Sequence, residues 1–239
     1  MKPEIFWQFK QAAEGISEAC RAFNTPVTGG NVSFYNENPK GAIYPTPTIG
    51  MVGILEDIEK RVPSFFQNVD DTIYVLGETF EELGGSQYLL VEHGLRMGVP
   101  PKLDLNREKA LHQLILNCAD KRILNSCHDI ADGGLLVALS ECLLSRIDHP
   151  LGAHVKLNFG SSIRKDALLF GESQSRAIVS ISPEKEAEFE KLAKNAQTPI
   201  YKIGKVTKSV LEVDSLISLP SETIEKTYRE AIPRRMNHV

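Results

Sequence analysis

With 239 residues and a formal net charge of −4 at pH 7, the chain is long enough for one or two domains and nearly neutral. Proteins that bind nucleic acid without regard to its sequence need a basic face, so this class is disfavoured. No run of about 18 apolar residues occurs, so neither a membrane-spanning helix nor a membrane partner is expected.

The cysteine pattern bears on the compartment. Cys20, Cys118, Cys127 and Cys142 show no CxxC spacing and stand mostly in apolar runs. That pattern favours buried free thiols in a reducing cytosol over a metal site. We therefore expect a soluble cytoplasmic protein of the α/β or α+β class.

The first predicted element is an amphipathic helix over Pro3–Phe23, in which apolar residues recur at steps of three and four. Pro3 suits the first turn, where its missing N–H is not needed, and Asn24 with Pro26 ends the helix. Trp7 lies off the centre of the apolar stripe. A stacking platform is one reading of Trp7, and partial burial against a partner domain is the more common one.

The stretch after this helix, Asn24–Asp57, is rich in residues typical of backbone-built binding loops. Gly29 and Gly30 permit a positive φ or the close approach of a ligand to the backbone. Four short polar residues then offer oxygen atoms that suit a hard cation such as Mg²⁺: Asn31, Ser33, Asn36 and Glu37. From the residues alone, a simple Gly-Asn turn is the stronger reading.

A domain boundary is expected near Asp70. Before it, Thr48–Leu55 is an apolar stretch that predicts a buried strand. After it, Asp71–Gly77 is rich in β-branched and aromatic residues and opens an alternation of strands and helices. The remaining predicted elements, in chain order, are a short helical run within Leu83–Met97, a helix over Arg107–Ile123, a strand at Ile123–Cys127, a helix from the DGG turn through Ser145, strands at Ala153–Phe159 and Ala177–Ser182, a surface helix over Pro183–Ala196, a hairpin of Ile200–Val206 with Val210–Val213, and a helix over Ser221–Ala231.

The turn between the strand ending at Cys127 and the next helix reads His128 to Gly134, HDIADGG. A strand, a glycine-rich turn and a helix together direct backbone N–H groups and a helix dipole at an anion. An equally good reading is that Asp132 caps the helix while Gly133 and Gly134 permit close packing. His128 could act as a base, although a single histidine at a strand end is more often part of a structural hydrogen bond.

Four stretches together resemble one known family. GGNVSFYNE followed by IYPTPTIGMVGILED is similar to the second half of the synthetase subunit (PurL) of small-type phosphoribosylformylglycinamidine synthases. Three later stretches match the same family: LGGSQYL at Leu83–Leu89, HDIADGGLLVAL at His128–Leu139 and GESQSR at Gly171–Arg176. Variants of the last two also occur in relatives that share the fold, such as aminoimidazole ribonucleotide synthetase and selenophosphate synthetase.

The resemblance implies an α+β fold with a PurM-like two-domain architecture. Residues 1–69 would form a partial, barrel-forming α+β domain, 70–220 a mixed-sheet α/β domain, and 221–239 a C-terminal helix and tail. In that family the first helix follows a strand and a whole first half of the subunit. We therefore expect the chain to be a C-terminal piece, either engineered or a natural split protein.

The family's activity implies an ATP-dependent ligase of purine biosynthesis, which converts formylglycinamide ribonucleotide and ammonia from glutamine to formylglycinamidine ribonucleotide. Carried onto this sequence, Gly30 would contact ATP, Asn31 would bind Mg²⁺ and Ser33 would contact the ribonucleotide substrate. The family's catalytic histidine lies in the half that is absent here. The chain alone is therefore expected to be inactive, with no catalytic residue of its own.

The resembled family carries the GESQSR motif twice, once in each pseudo-symmetric half, and its substrate-binding copy belongs to the first half. The copy in this chain therefore implies a second, pseudo-equivalent cleft. Its candidate contacts are Asp129, Asp132, Glu172, Ser173 and Gln174. The implied partners are the N-terminal half of the synthetase, the glutaminase subunit PurQ and the small subunit PurS, with a homodimer of the piece as a further expectation. A catalytically silent nucleotide-binding or assembly module, or a relative such as a selenophosphate synthetase, stays open as an alternative.

Overall fold

The computed structural model describes residues 2–33, 37–144, 150–160 and 162–236. Contacts divide the chain into two compact units, Met1–Glu56 and Asp57–Val239, which are called unit 1 and unit 2 below. Asn36 and Ser145, which the sequence placed in a cation-binding loop and at a helix end, lie outside the described residues.

Unit 1 is built on one long helix, α1 (Pro3–Phe23), and the predicted bounds of this helix are confirmed. Asn24 ends it in the left-handed conformation, with φ of 54°, and donates its backbone N–H to the Cys20 carbonyl. The helix buries none of its side chains, and Trp7 is 61% exposed. Two short strands, β1 (Glu37–Asn38) and β2 (Gly41–Ala42), pair as an antiparallel hairpin.

The prediction of a buried strand at Thr48–Leu55 is wrong for this chain. These residues form no strand, and Val52 and Ile54 are 98% and 92% exposed. A strand exists only where another backbone accepts and donates its hydrogen bonds. No other segment within the described ranges pairs with this one.

Unit 2 is organised on one mixed sheet of seven strands, in the order β4-β6-β3-β7-β5-β8-β9. All neighbours are antiparallel except β5 and β8, which run parallel. The strands are β3 (Thr72–Leu76), β4 (Leu124–Asp129), β5 (Gly152–Val155), β6 (Ala177–Ile181), β7 (Ile200–Thr207), β8 (Val210–Val213) and β9 (Ile217–Pro220). The mixed-sheet α/β character predicted for this part of the chain is confirmed.

The helices of unit 2 are α2 (Gln87–His93), α3 (Leu105–Asp120), α4 (Gly134–Cys142), α5 (Lys165–Phe170), α6 (Glu186–Asn195) and α7 (Ser221–Met236), with short 3₁₀ turns at Ile58–Lys60 and Pro183–Lys185. The sequence predicted each of these α-helices except α5. That helix has only six residues, too few for an apolar period to be visible in the sequence.

Both faces of the central strands are buried, so the sheet has two cores. In β3, Ile73 and Val75 pack with α4 residues such as Leu135, while Tyr74 and Leu76 pack on the other face with Leu114 of α3. This follows from the period of two in a strand, which sends successive side chains to opposite faces. Phe189 of α6 packs in the second core. Its ring lies edge-on to the ring of Tyr74, with centroids 5.0 Å apart.

The predicted hairpin of β7 with β8 is wrong, because β5 lies between these two strands. Neighbouring strands are about 4.8 Å apart, and the three chain steps from Thr207 to Val210 can reach about 10 Å. The short link therefore crosses over the start of β5 at Gly152, where a side chain would lie 2.4 Å from the Val210 backbone. Val210–Val213 instead forms a hairpin with β9, which the sequence did not reveal.

Residues 57–67 precede β3, the first strand of unit 2, and bind the backbone of α4 and β4. Phe66 is 1% exposed and donates its N–H to the Cys142 carbonyl at 2.8 Å, and Cys127 donates to the Pro63 carbonyl at 2.9 Å. The domain bounds expected from the sequence, 1–69, 70–220 and 221–239, stay predictions.

The four cysteines are free thiols, with Cys118 and Cys142 buried and Cys20 and Cys127 partly buried. Burial raises the pKa of Cys118 to about 11 and that of Cys127 to about 12, so both thiols stay protonated at neutral pH. None of the helices in the described ranges is long and apolar enough to cross a bilayer.

Candidate functional site

The GGNVS loop borders a groove of about 580 Å³ within unit 1. One wall of the groove is α1, through apolar residues that include Phe9 and Ile16. Asn31 and Ser33 lie on its lining together with the proline-rich segment 42–49, whereas Gly30 does not. The structure thus brings two of the three predicted loop contacts to one concave surface.

Gly29 and Gly30 leave the backbone of this loop open. Neither glycine has a positive φ, and a side chain at either position would meet no atom within 4 Å. The fold of the chain therefore does not require glycine here. An uncovered main chain is what a backbone contact to a ligand needs.

Asn31 presents an exposed amide, and an amide oxygen is a suitable ligand for Mg²⁺. Glu37, the second cation candidate in sequence, lies exposed in β1. Throughout the described part of the chain, no three or more His, Cys, Asp or Glu side chains gather into a group that could hold a metal ion. The Asn31 amide oxygen fits Mg²⁺ in kind, and no carboxylate stands among the described residues that line the groove.

The second group of candidate residues surrounds Glu172. Its Oε1 accepts the backbone N–H of Gly133 and that of Gln87, each at 2.8 Å. Gly133 is the N-cap of α4, and Gln87 is the first residue of α2. The reading that Asp132 caps α4 is wrong: Asp132 is exposed, and the carboxylate that accepts from this helix start comes from Glu172.

The close-packing reading of the DGG turn is correct. Gly133 and Gly134 both have positive φ, 80° and 74°. A side chain on Gly134 would lie 2.6 Å from the Phe170 carbonyl carbon and 2.7 Å from the Gly171 oxygen. Only glycine allows the turn to press against the chain just before Glu172 in this way.

Arg176 organises the GESQSR loop, a role that the sequence analysis missed. Its guanidinium is buried and donates to the carbonyls of Ser173 and Gly171, at 2.8 and 2.6 Å, and to the Thr79 hydroxyl at 3.1 Å. Burial lowers the pKa of Arg176 to about 10, opposed by the nearby carboxylates of Glu82 and Glu172. The side chain therefore stays charged at neutral pH. The sequence did contain a signal for this role, because an arginine is the last residue of the GESQSR motif.

The other candidates divide between buried and exposed positions. Ser173 is fully buried, and its hydroxyl accepts the Phe80 N–H at 3.1 Å. Gln174 is exposed and lies at a smaller cavity of about 200 Å³. Asp129 is also exposed. His128 Nδ1 donates to the Asp129 carbonyl at 2.7 Å, which matches the structural reading of that histidine.

Comparison with known proteins places this geometry in a family. Residues 1–55 match the AIR synthase related protein N-terminal domain, and residues 68–214 match the C-terminal domain of the same family. Phosphoribosylformylglycinamidine synthase subunit PurL of Anaeromyxobacter sp. (strain Fw109-5) is 44% identical over 97% of this chain. The corresponding PurL of Moorella thermoacetica is 47% identical over 97% of the chain. The predicted resemblance to PurL is confirmed.

The chain spans 31% of the first relative's length and 32% of the second's. Among solved structures, Thermotoga maritima PurL complexed with FGAR aligns with a TM-score of 0.60 at 21% identity, over 70% of this chain and 30% of that one. The complex of the same protein with ATP aligns with a TM-score of 0.55 at 21% identity, over 70% of this chain and 28% of that one. Likeness at this identity shows the fold, and it confirms the PurM-like α+β architecture. The chain therefore belongs to the family of AIR synthase related proteins.

Proposed function

We propose that the chain is the C-terminal part of a phosphoribosylformylglycinamidine synthase, a cytoplasmic ATP-dependent ligase of purine biosynthesis. The observation that carries this proposal is the identity of 44–47% to PurL relatives over 97% of the chain. Because the chain covers only 31–32% of those relatives, we expect no activity from it alone. The reaction joins ammonia to the glycinamide carbonyl carbon of formylglycinamide ribonucleotide: ATP phosphorylates the oxygen on that carbon, and ammonia then displaces it as inorganic phosphate, so that the amidine forms and the formyl group is kept.

In this proposal the GGNVS loop holds the nucleotide and the substrate. Gly30 would contact ATP through its open backbone, Asn31 would ligate Mg²⁺ through its amide oxygen, and Ser33 would hydrogen-bond the ribonucleotide. Support comes from the shared groove of Asn31 and Ser33, and from the complexes of T. maritima PurL with ATP, ADP, AMPPCP and FGAR. Bound Mg²⁺ would neutralise phosphate charge as the phosphoryl group transfers. The chain's own loop residues position the two ligands.

The activity test supplies the part of the relatives' length that this chain does not span. The chain is mixed with the preceding two-thirds or so of the M. thermoacetica relative, and release of ADP and formation of the amidine product are followed. We expect turnover only when both parts, the ribonucleotide, ATP and ammonia are present. ATP binding with no amidine formation in the combined parts would contradict the ligase proposal and favour a silent nucleotide-binding module.

Variants of the loop separate the two assigned roles. Asn31→Ala removes a cation ligand, so the Michaelis constant for ATP should rise and partly recover at high Mg²⁺. Ser33→Ala removes a hydrogen bond to a charged ligand, a loss of roughly 1.5–3 kcal/mol, so the constant for the ribonucleotide should rise by about 10-fold or more. Asn117→Ala and Ser17→Ala, at exposed helix positions outside the groove, are matched controls. Wild-type kinetics in both loop variants would contradict both assigned roles and would mean that GGNVS is only a turn.

Association is a second part of the proposal. In the native protein we expect the N-terminal half of the synthetase, PurQ and PurS as partners, in line with the solved PurLQS assembly of Thermotoga maritima. In isolation we expect a homodimer formed through residues 1–69, because Val52 and Ile54 are almost fully exposed. The five second-cleft contacts also stay proposals: Asp129, Asp132, Glu172, Ser173 and Gln174.

Sedimentation tests the homodimer. We expect association at concentrations on the order of tens of micromolar, weakened at least about 10-fold by Val52→Glu, since one buried charge at such an interface costs more than 1.4 kcal/mol. Val91→Glu, on an apolar residue of α2 that is 72% exposed, is the matched control. A strict monomer for the unaltered chain would refute this part and leave the ligase proposal untouched.

A further inference from the structure

The chain between the two matched domains is part of unit 2. The family models cover residues 1–55 and 68–214, so residues 57–67 belong to neither match. This segment, called the strap below, places Val62 against the core on the α3 side of the sheet and Phe66 in the core on the α4 side. A segment with a side chain on each side has to pass around an edge of the sheet.

The strap passes that edge at β4. This strand ends the seven-strand order, so one of its sides faces no other strand in the described part of the chain. There the Cys127 N–H donates to the Pro63 carbonyl at 2.9 Å. Pro63 has no N–H to return, so the strap covers the strand without becoming a strand itself. Proteins cover an edge strand in this way to prevent its pairing with another chain.

One side chain holds the strap in place. Among the strap residues, all of which the structure describes, only Phe66 is buried. The other end is tied by two exposed ion pairs, Lys60 with Asp120 at 2.9 Å and Asp57 with Arg122 at 3.6 Å. Exposed pairs of this kind contribute little to stability. Withdrawal of Phe66 therefore frees the strap, while the strands and helices of both cores keep their contacts with one another.

We propose that the strap is a cover of the β4 edge that opens on its own, while the rest of unit 2 stays folded. A segment with one buried anchor and few backbone hydrogen bonds opens at a lower free energy than the cores it covers. Opening leaves an unpaired strand edge. It also removes a support of β4 just before the HDIADGG turn, which follows Cys127 directly in the chain. The segment between the two matched domains is thus the part of unit 2 that opens first.

Native-state hydrogen exchange on the full chain, read for each amide by NMR, tests this. The Cys127 amide binds the strap, and the Phe66 amide of the strap donates to the Cys142 carbonyl at 2.8 Å. Each of these amides exchanges only when its hydrogen bond opens. Val75, fully buried in the central strand β3, reports global unfolding. We expect Phe66 and Cys127 to share one opening constant, at least about 10-fold larger than that of Val75.

Two conservative variants separate opening of the strap from unfolding of the core. Ile203→Val weakens a buried position of β7, three strands away from β4. It should speed exchange of Val75 by about 2- to 10-fold and leave Cys127 unchanged. Phe66→Leu weakens the anchor, which is released both in the open strap and in the unfolded chain. It should speed exchange of Cys127 and Val75 alike, by at least about 3-fold.

Equal opening constants for Cys127 and Val75 in the unaltered chain would overturn the proposal, because the strap would then open only with the whole of unit 2. An equal increase at both amides in Ile203→Val would overturn it for the same reason. Unchanged exchange of Cys127 in Phe66→Leu would show that Phe66 is not the anchor. These measurements need no ligase activity, so their failure leaves the proposed function standing, and the reverse also holds.

Discussion

Two glycine-rich turns of this chain have opposite surroundings. In unit 1, Gly29 and Gly30 adopt ordinary backbone angles, and a side chain at either would meet open space. In unit 2, Gly133 and Gly134 have positive φ and lie against Val137 and the Phe170 backbone. A pair of glycines in a sequence permits either a ligand or the protein's own backbone to come close, and only the structure tells which one does.

The same contrast extends to the units as wholes. None of the described residues of unit 1 is buried, while unit 2 has two cores on the faces of one sheet. The loop with ligand-type residues therefore lies where the chain has least interior of its own. The later motifs lie where the interior is densest, and there Glu172 and Arg176 serve to hold the fold together.

The largest expected difference between the two units is in the unfolding free energy lost when a phenylalanine is replaced by alanine. Phe189→Ala empties a fully buried position beside Tyr74, with an expected loss of about 3–5 kcal/mol in unfolding free energy. Phe6→Ala, on α1 at 54% exposure, should change it by less than about 0.5 kcal/mol. Urea unfolding followed by far-UV circular dichroism measures both, and equal losses would show that α1 is packed more tightly than this structure has it.

Alanine in each glycine turn tests whether the turn is packed, as at Gly134, or open, as at Gly30. Gly134→Ala places a Cβ 2.6 Å from the Phe170 backbone at φ of 74°, so we expect at least about 1–3 kcal/mol of destabilisation. Gly30→Ala meets no atom and should leave the melting temperature unchanged, while it weakens ATP binding in the complemented enzyme. Comparable melting temperatures for the two variants would remove the distinction between a packed turn and an open one.

Periodicity in the sequence predicts local elements well. The apolar steps of α1, the β-branched run of β3 and the stripe of α3 each coincide with an element of the predicted type. The pattern predicts the type of element and not its burial, because α1 buries no side chain and β3 is buried on both faces. What periodicity cannot reveal is which strand lies between two others. The passage of β5 between β7 and β8 depends on a parallel pairing with a distant part of the chain.

The candidate site was predictable where it rests on a motif and hidden where it rests on long-range contacts. The loop motif singled out Asn31 and Ser33, which both line one groove, and their roles toward Mg²⁺ and the substrate stay predictions. The capping partner of the DGG turn was missed, because Glu172 is 39 residues from Gly133 and the neighbouring Asp132 offers the obvious local alternative. The strand expected at Thr48–Leu55 fails for a similar reason: its hydrogen bonds need a backbone that the described chain does not supply.

The smallest expected effect concerns Asp71, a buried carboxylate at the start of β3. Burial raises its pKa above the ordinary value of 3.8, against hydrogen bonds from Asn125, Asn68 and Ser180 that lower it. Because the folded pKa lies above the unfolded one, the protonated form favours folding. The contribution of Asp71 to stability is complete below pH 3.8 and is lost as the pH rises through the folded pKa. At neutral pH the ionised carboxylate therefore opposes folding.

Asp71→Asn removes this titration, so the unfolding free energy of the variant should rise relative to that of the unaltered chain between pH 4 and 7. The rise is limited to about 1.4 kcal/mol for each unit by which the two pKa values differ. The trend is the test, because the amide also changes the hydrogen bonds that Asn125 donates and so adds a constant offset. Asp120→Asn, which removes an exposed carboxylate paired with Lys60, corrects for the change in net charge. A difference that stays constant across this pH range would mean that Asp71 is as well solvated in the folded chain as in the unfolded one.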